Sequence, residues 1–310
     1  MPSAAVRDIL AHYDSESPGI RMHLARILMH GRLGDTGKLV ILPVDQGVEH
    51  GPAQSFSANP AAYDPEYLFD FAIAARVSAF AAPYGLLADG AARHAGAVPL
   101  ILKANNSNNL SSEKDQAVTA TASDALRLGC DAIGYTIYPG ADKQYEMIEE
   151  TRAGIAAARE VGLPTVIWAY PRGGNLSKAG QTALDVVAYS AQIAAQLGAH
   201  IIKVKLPSRH IEHEDVRVAY AREDIDRNVA RERVAHVMQS AFAGKRIVVF
   251  SGGSSKPTDE VLADVTAIRD GGGYGSIIGR NSFQRPRAEA LDLLSRIMAV
   301  YEAPVSSTTQ

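Results

Sequence analysis

The sequence predicts an α/β fold: a single (β/α)8 barrel with an N-terminal helical extension. Two observations carry this prediction. Eight short, β-branched apolar runs recur along the 310 residues, separated by amphipathic or Ala-rich stretches. Several of those stretches stop on glycine just before the next run, at Leu128-Gly129, Val161-Gly162 and Leu197-Gly198. Glycine tolerates the left-handed conformation that ends a helix, so each is a helix-stop, strand-start junction. Continuous apolar strands alternating with helices suit a parallel sheet covered on both faces. Eight such units in one chain favour a closed barrel. A doubly wound open sheet is the alternative, because periodicity alone does not establish closure.

In order, strands are expected over 39–44 (LVILPV), 79–83 (AFAAP), 100–103 (LILK), 132–137 (AIGYTI), 165–170 (TVIWAY), 201–206 (IIKVKL), 246–250 (RIVVF) and 276–279 (SIIG). Helices are expected over 144–160 and 182–196. Residues 1–38 carry two helical stretches split by a Ser/Pro/Gly break at 14–19, an extension that caps the barrel bottom or joins a partner. The barrel domain is expected over 39–300, followed by a tail over 301–310 that is disordered from 306. The connection 207–227 is long and charge-rich; a solvated loop is the plainer reading, against a lid or an interface.

Composition narrows the function class. With 46% hydrophobic and 21% charged residues the chain can build a full core. A net charge of −3 gives no electrostatic reason to expect nucleic acid or an anionic membrane as partner. One cysteine, Cys130, excludes an internal disulfide and any multi-cysteine metal site, and suits a reducing compartment. No apolar run approaches the ~18 residues of a membrane span. No signal-peptide layout opens the sequence, so a cytoplasmic protein is expected.

In a barrel, function sits at the carboxyl ends of the strands. The first strand ends in VDQGVEHGP, which brings Asp45 off an apolar run into the mouth, unless it only shapes a Gly-rich turn. Glu49 and His50 follow as possible supports. The third strand ends in Lys103, unusual in an apolar run; it binds an anion, pairs with Asp45 or snorkels outward. The fifth ends in WAYPRGG, where Trp168 and Tyr170 alternate onto one face. Tyr170 is placed for proton transfer and Arg172 for charge, while core packing is the plain reading of Trp168.

The sixth strand carries Lys203 and Lys205 on one face. Facing inward is cheaper than facing the covering helices. An ammonium among like charges in a low-dielectric barrel loses its proton more easily, which frees a nucleophilic amine. The spacing does not say which lysine reacts. After strands seven and eight come FSGGSS and IGRN, where Ser251, Gly252, Gly253, Gly279 and Arg280 form the glycine-and-arginine pattern of a barrel phosphate site. His210 and His213 have metal-compatible spacing but no third ligand, and read as a solvated pair. His23, His30, His94 and His236 show no partner pattern.

Together, VDQGVEHGP, GYTIYPG (134–140), WAYPRGG, IIKVKLP, SGG and IGRN, in this order, resemble the archaeal-type class I fructose-1,6-bisphosphate aldolases, in their bacterial branch. The likeness runs from about residue 39 to 285. It implies a TIM barrel, a lyase of glycolysis or gluconeogenesis, no metal or other cofactor, a phosphorylated sugar as substrate, and a homo-oligomer. Carried over by position, Lys203 is implied as the imine former, Tyr170 as general acid/base and Asp45 as an aid to proton transfer. Trp168 lines the pocket, and Ser251, Gly252, Gly253, Gly279 and Arg280 hold a phosphate. Arg172, Lys205 and Lys103 complete the expected substrate contacts. Lys205 is expected to depress the pKa of Lys203, with Lys103 the second candidate. Gln46 departs from the histidine of archaeal members. Competing readings are a transaldolase-like or thiolytic imine enzyme acting on another phosphorylated ketone, and a non-catalytic sugar-phosphate binder. A zinc-dependent aldolase would need a convergent histidine cluster that the strand ends lack.

Overall fold

A computed structural model describes residues 1–222, 225–253 and 255–304. Eight parallel strands close on themselves: β1 (Leu39–Pro43), β2 (Ala79–Pro83), β3 (Leu100–Lys103), β4 (Ala132–Ile137), β5 (Thr165–Ala169), β6 (Ile201–Lys205), β7 (Ile247–Ser251) and β8 (Gly275–Ile277). Each pairs with its neighbour in sequence, and β1 pairs with β8 through Leu39 and Gly275, so the open sheet is excluded. β8 begins at Gly275, one residue earlier than expected. A Cβ there would lie 1.9 Å from the Leu39 carbonyl oxygen, so only glycine lets the two edge strands close.

Side-chain alternation divides the strands into two cores. Val40, Leu42, Phe80, Leu102, Ile133, Ile167, Ile202, Val204 and Phe250 point outward and pack against the helices. Leu39, Ile41, Ala79, Ala81, Ile101, Ala132, Val166, Trp168, Ile201, Val249 and Ile277 point into the barrel. Burying both faces is what demands the uninterrupted apolar strand sequences. The helix Gln144–Glu160 forms as expected, and Gly129, Gly162 and Gly198 all take positive φ at helix ends.

The extension caps the amino end of the barrel. α1 (Ala4–Ala11) and α2 (Pro18–Met29) contribute Val6, Ile9, Leu24 and Ile27 to the inner core. Tyr13, between them, donates its buried hydroxyl to the His200 carbonyl (2.6 Å) and accepts the Ile247 N–H (3.1 Å). Glu16 accepts from Arg159 at 2.7 Å, and Asp131 lies 3.0 Å from His23.

Two surface expectations change. His23, His94 and His236 have partners after all, in Asp131, Glu66 (2.8 Å) and Tyr220 (2.9 Å). All lie at least 16 positions away, beyond any local pattern. The connection after β6 is largely exposed, in keeping with a solvated loop, and it is fastened at its start. The Asp185 carboxylate accepts the N–H groups of Glu212 and His213, both at 3.0 Å, and Glu212 accepts from Ser177 and lies 2.9 Å from His210. His213 lies 2.9 Å from Asp185, so the two histidines are bound to carboxylates, and a short helix Arg217–Arg222 follows. The last helix, Arg287–Glu302, continues past residue 300 and buries Tyr301. The expected disorder from 306 lies outside the described residues. No described helix is long and apolar enough to cross a membrane.

Candidate active site

The inward set of each strand continues into the mouth with the same period of two, and it delivers the polar side chains there. Register aligns them: Trp168 pairs with Lys203, and Lys205 with Ser251. Around them opens a cavity of about 540 Å³. Asp45, Tyr170, Arg172, Lys203, Lys205, Ser251, Gly252, Gly253, Gly279 and Arg280 all line it. Trp168 and Lys103, expected as substrate contacts, do not line this cavity. Trp168 is 1% exposed and lies under it, seated on Gly134, where a Cβ would come within 2.0 Å of the indole. Lys103 is buried beside it, bonded to the carbonyl and the side-chain oxygen of Asn105.

Lys203 is 5% exposed, with its Nζ 5.3 Å from the centre of the Tyr170 ring and 5.6 Å from that of Trp168. Burial brings its pKa down from 10.5 to about 8. The carboxylates of Asp45 and Glu49 oppose the fall, and the charges of Lys103 and Arg280 assist it. The expectation that Lys205 depresses Lys203 is therefore corrected. Lys205 sits two residues further along, ~6.6 Å up the strand, half-buried beside Arg172, and its own pKa also falls to about 8 through burial. Burial, with Lys103 and Arg280, acts on Lys203 instead.

Tyr170 is raised well above the ordinary phenol range, by burial first and then by Asp45 and Glu49, with Ser251 and Arg172 opposing the rise. It therefore rests as a neutral phenol at physiological pH. Arg172 donates to Glu49 at 3.1 Å and lies 5.0 Å from the centre of the Tyr138 ring. On the opposite wall, Arg280 and Asn281 donate to the carbonyls of Gly253 and Gly252 (3.3 and 2.9 Å), which fastens the loops after β7 and β8 together. Gly253 takes φ +71°, and a Cβ on Gly279 would sit 2.8 Å from Gln46 Nε2 and 3.0 Å from the Pro43 carbonyl oxygen, so glycine is favoured at both positions.

Sequence reasoning missed the Lys256–Asp264 ion pair, which also lines the cavity. Its signal was faint: Lys256 lies five positions past Ser251, and Asp264 on the next helix. Tyr138 and Gln116, under the mouth, were missed as well. A buried amine that is easily deprotonated, a neutral phenol beside it and a wall of glycine N–H groups and cations suit imine formation with a phosphorylated carbonyl compound.

A family model described as DeoC/LacD family aldolase matches residues 39–285, the span from β1 to just past β8. The chain belongs to the DeoC/LacD aldolase family. It is 35% identical, over 97% of its length and 90% of the relative's, to a protein of Chlamydia muridarum named probable fructose-bisphosphate aldolase class 1. It is 37% identical, over 86% of its length and 91% of the relative's, to the fructose-bisphosphate aldolase class 1 of Halobacterium salinarum. Among solved structures it resembles an archaeal fructose-1,6-bisphosphate aldolase whose catalytic lysine is covalently bound to the carbinolamine intermediate. That likeness has a TM-score of 0.75 at 30% identity and covers 91% of this chain and all of that one. The family match leaves the capping helices outside it. Of the histidines, only His50 lines the described cavity wall. Glu66, Asp70 and His94 stand close enough to share a cation, but they line none of this cavity, and Glu66 is already held by Arg93 at 2.7 Å.

Proposed function

We propose that this chain is a class I fructose-1,6-bisphosphate aldolase, cleaving the sugar reversibly to dihydroxyacetone phosphate and glyceraldehyde 3-phosphate through a Schiff base on Lys203. The observation that carries the reading is Lys203 itself: an almost fully buried lysine, with a pKa of about 8, beside the Tyr170 phenol in a cavity with room for a bisphosphate. The names of the relatives agree with it.

Lys203 attacks the C2 ketone and loses water to give an iminium, the electron sink for breaking C3–C4. Tyr170 takes the C4 hydroxyl proton as that bond breaks, and Asp45 positions the sugar hydroxyls. The enamine is then protonated at C3 and hydrolysed. Gly252, Gly253, Gly279, Ser251 and Arg280 hold one phosphate; Arg172 and Lys205 face the other. Lys103 and Trp168 act from beneath as the floor. The domain reading follows: a catalytic barrel over 39–300, a capping extension over 1–38 and a tail over 301–310. A homo-oligomer is supported by the apolar side chains left exposed at Tyr189 and Val218, and size-exclusion chromatography tests it. The single, buried cysteine is in keeping with a cytoplasmic setting.

The test is cleavage of fructose 1,6-bisphosphate in EDTA, with triose phosphates as the readout. Turnover in EDTA that is lost in Lys203→Met supports the reading; full turnover in that variant overturns it.

A further inference from the structure

Tyr170 poses a problem of proton balance. A neutral phenol can accept the C4 proton only if its own proton leaves at the same time. Behind it lies a second, small polar chamber that shares Asp45, Glu49 and Tyr170 with the main cavity and continues under the loop after β3 past Asn106 and Ser107. It offers about 10 Å³, room for the centre of a single water molecule. Its walls include Lys103, Thr136, Tyr138 and Gln116. Gln116 is 6% exposed, and its buried Oε1 has no hydrogen-bond partner among the described residues. Such an orphaned acceptor is costly unless a ligand or water meets it. Burial raises the Tyr138 pKa above the ordinary phenol value, and Ser107 and Gln116 oppose the rise. A site that is polar, of one-water size and short of one donor is what an ordered water needs.

We propose that this chamber binds one water that carries protons between the Tyr170 hydroxyl and the Glu49 carboxylate during cleavage. The proposal rests on the aldolase reading. As C3–C4 breaks, its electron pair neutralises the iminium to an enamine, and the C4 O–H bond gives its proton to Tyr170. The Tyr170 O–H bond breaks in turn, its proton joins the water, and the water passes one to Glu49. The positive iminium and negative carboxylate thus become a neutral enamine and a neutral acid, with no charge left stranded in the barrel. When C3 is reprotonated, the same chain runs in reverse. Because the chamber lies off the main cavity, the route stays open while the sugar fills the mouth. Glu49 is the proton reservoir, and Gln116 is a positioning residue acting through the water.

The test uses single turnover of fructose 1,6-bisphosphate by the full chain, reading glyceraldehyde 3-phosphate release in H2O/D2O mixtures. Three protons in flight predict a bowed dependence of rate on deuterium fraction; a straight line overturns the proposal. Gln116→Met, which displaces the water without touching the cavity, is expected to slow cleavage at least 10-fold and straighten the plot. Borohydride trapping of dihydroxyacetone phosphate on Lys203 should persist in that variant at the unaltered level. An unchanged rate and an unchanged bow in Gln116→Met overturn the water site alone. Loss of trapping in the unaltered protein overturns the aldolase reading instead. The deuterium dependence of the unaltered protein decides the matter even if the variant fails to fold.

Discussion

Lys203→Met should make the protein inactive and more stable, by an amount that depends on pH. In the folded barrel the Lys203 ammonium is buried and its pKa is about 8; in the unfolded chain it returns to about 10.5. At 1.36 kcal/mol per pH unit, that gap corresponds to about 3 kcal/mol. Below pH 8 the lysine is charged in both states, and the folded state bears the whole cost of burying it. Between pH 8 and 10.5 only the folded state sheds the proton, and the cost shrinks. Above 10.5 the amine is neutral in both states and no cost remains. Methionine keeps the stem and removes the charge, so the variant should gain about 3 kcal/mol at pH 7 and lose that advantage by pH 10.5. Urea unfolding of both proteins at pH 7 and pH 10.5, followed by circular dichroism, measures it. A variant no more stable than the parent at pH 7, or one whose advantage grows with pH, would refute the claim that burial drives the amine.

Three further outcomes follow from named contacts. Tyr170→Phe removes the phenol proposed to carry the proton beside Lys203, so kcat should fall by about 10²–10⁴, while borohydride still traps the substrate on Lys203. Arg280→Gln deletes a cation from the wall proposed to hold a phosphate, and a charge-assisted hydrogen bond of ~1.5–3 kcal/mol predicts a KM for the bisphosphate raised roughly 10- to 100-fold with kcat little changed. Gly134→Ala drives a methyl into the Trp168 indole, a clash at 2.0 Å; overpacking of ~1–3 kcal/mol should lower the urea midpoint and shift the fluorescence of this single tryptophan, whereas an unmoved spectrum would contradict the seating of the ring.

The barrel was legible because both strand faces are buried, so each strand is written as an unbroken apolar run and each intruding polar residue stands out. Lys103, Lys203, Lys205 and Tyr170 were visible for that reason, and the parity of two placed Trp168, Tyr170 and Lys203 on one wall. The start of β8 slipped by a residue, since the close approach of Gly275 to Leu39 is a property of closure and not of local sequence. What depends on side chains meeting across loops was hidden. Nothing near Lys205 in sequence reveals that it stops short of Lys203, nor that Lys256 pairs with Asp264. Gln116 and Tyr138 belong to the loop after β3 and the end of β4, where no alternation reports direction. Asp185 anchors a connection 27 residues away, a fastening that no local pattern announces.

The central claim is that Lys203, and no other lysine, forms the imine. Borohydride reduction of the protein with dihydroxyacetone phosphate in EDTA, followed by intact mass and peptide mapping, tests it directly. The account predicts one reduced adduct per chain, on Lys203, with a rate that rises through pH 8 as the amine is freed. An adduct on Lys205 or Lys103, or no adduct at all, would contradict it.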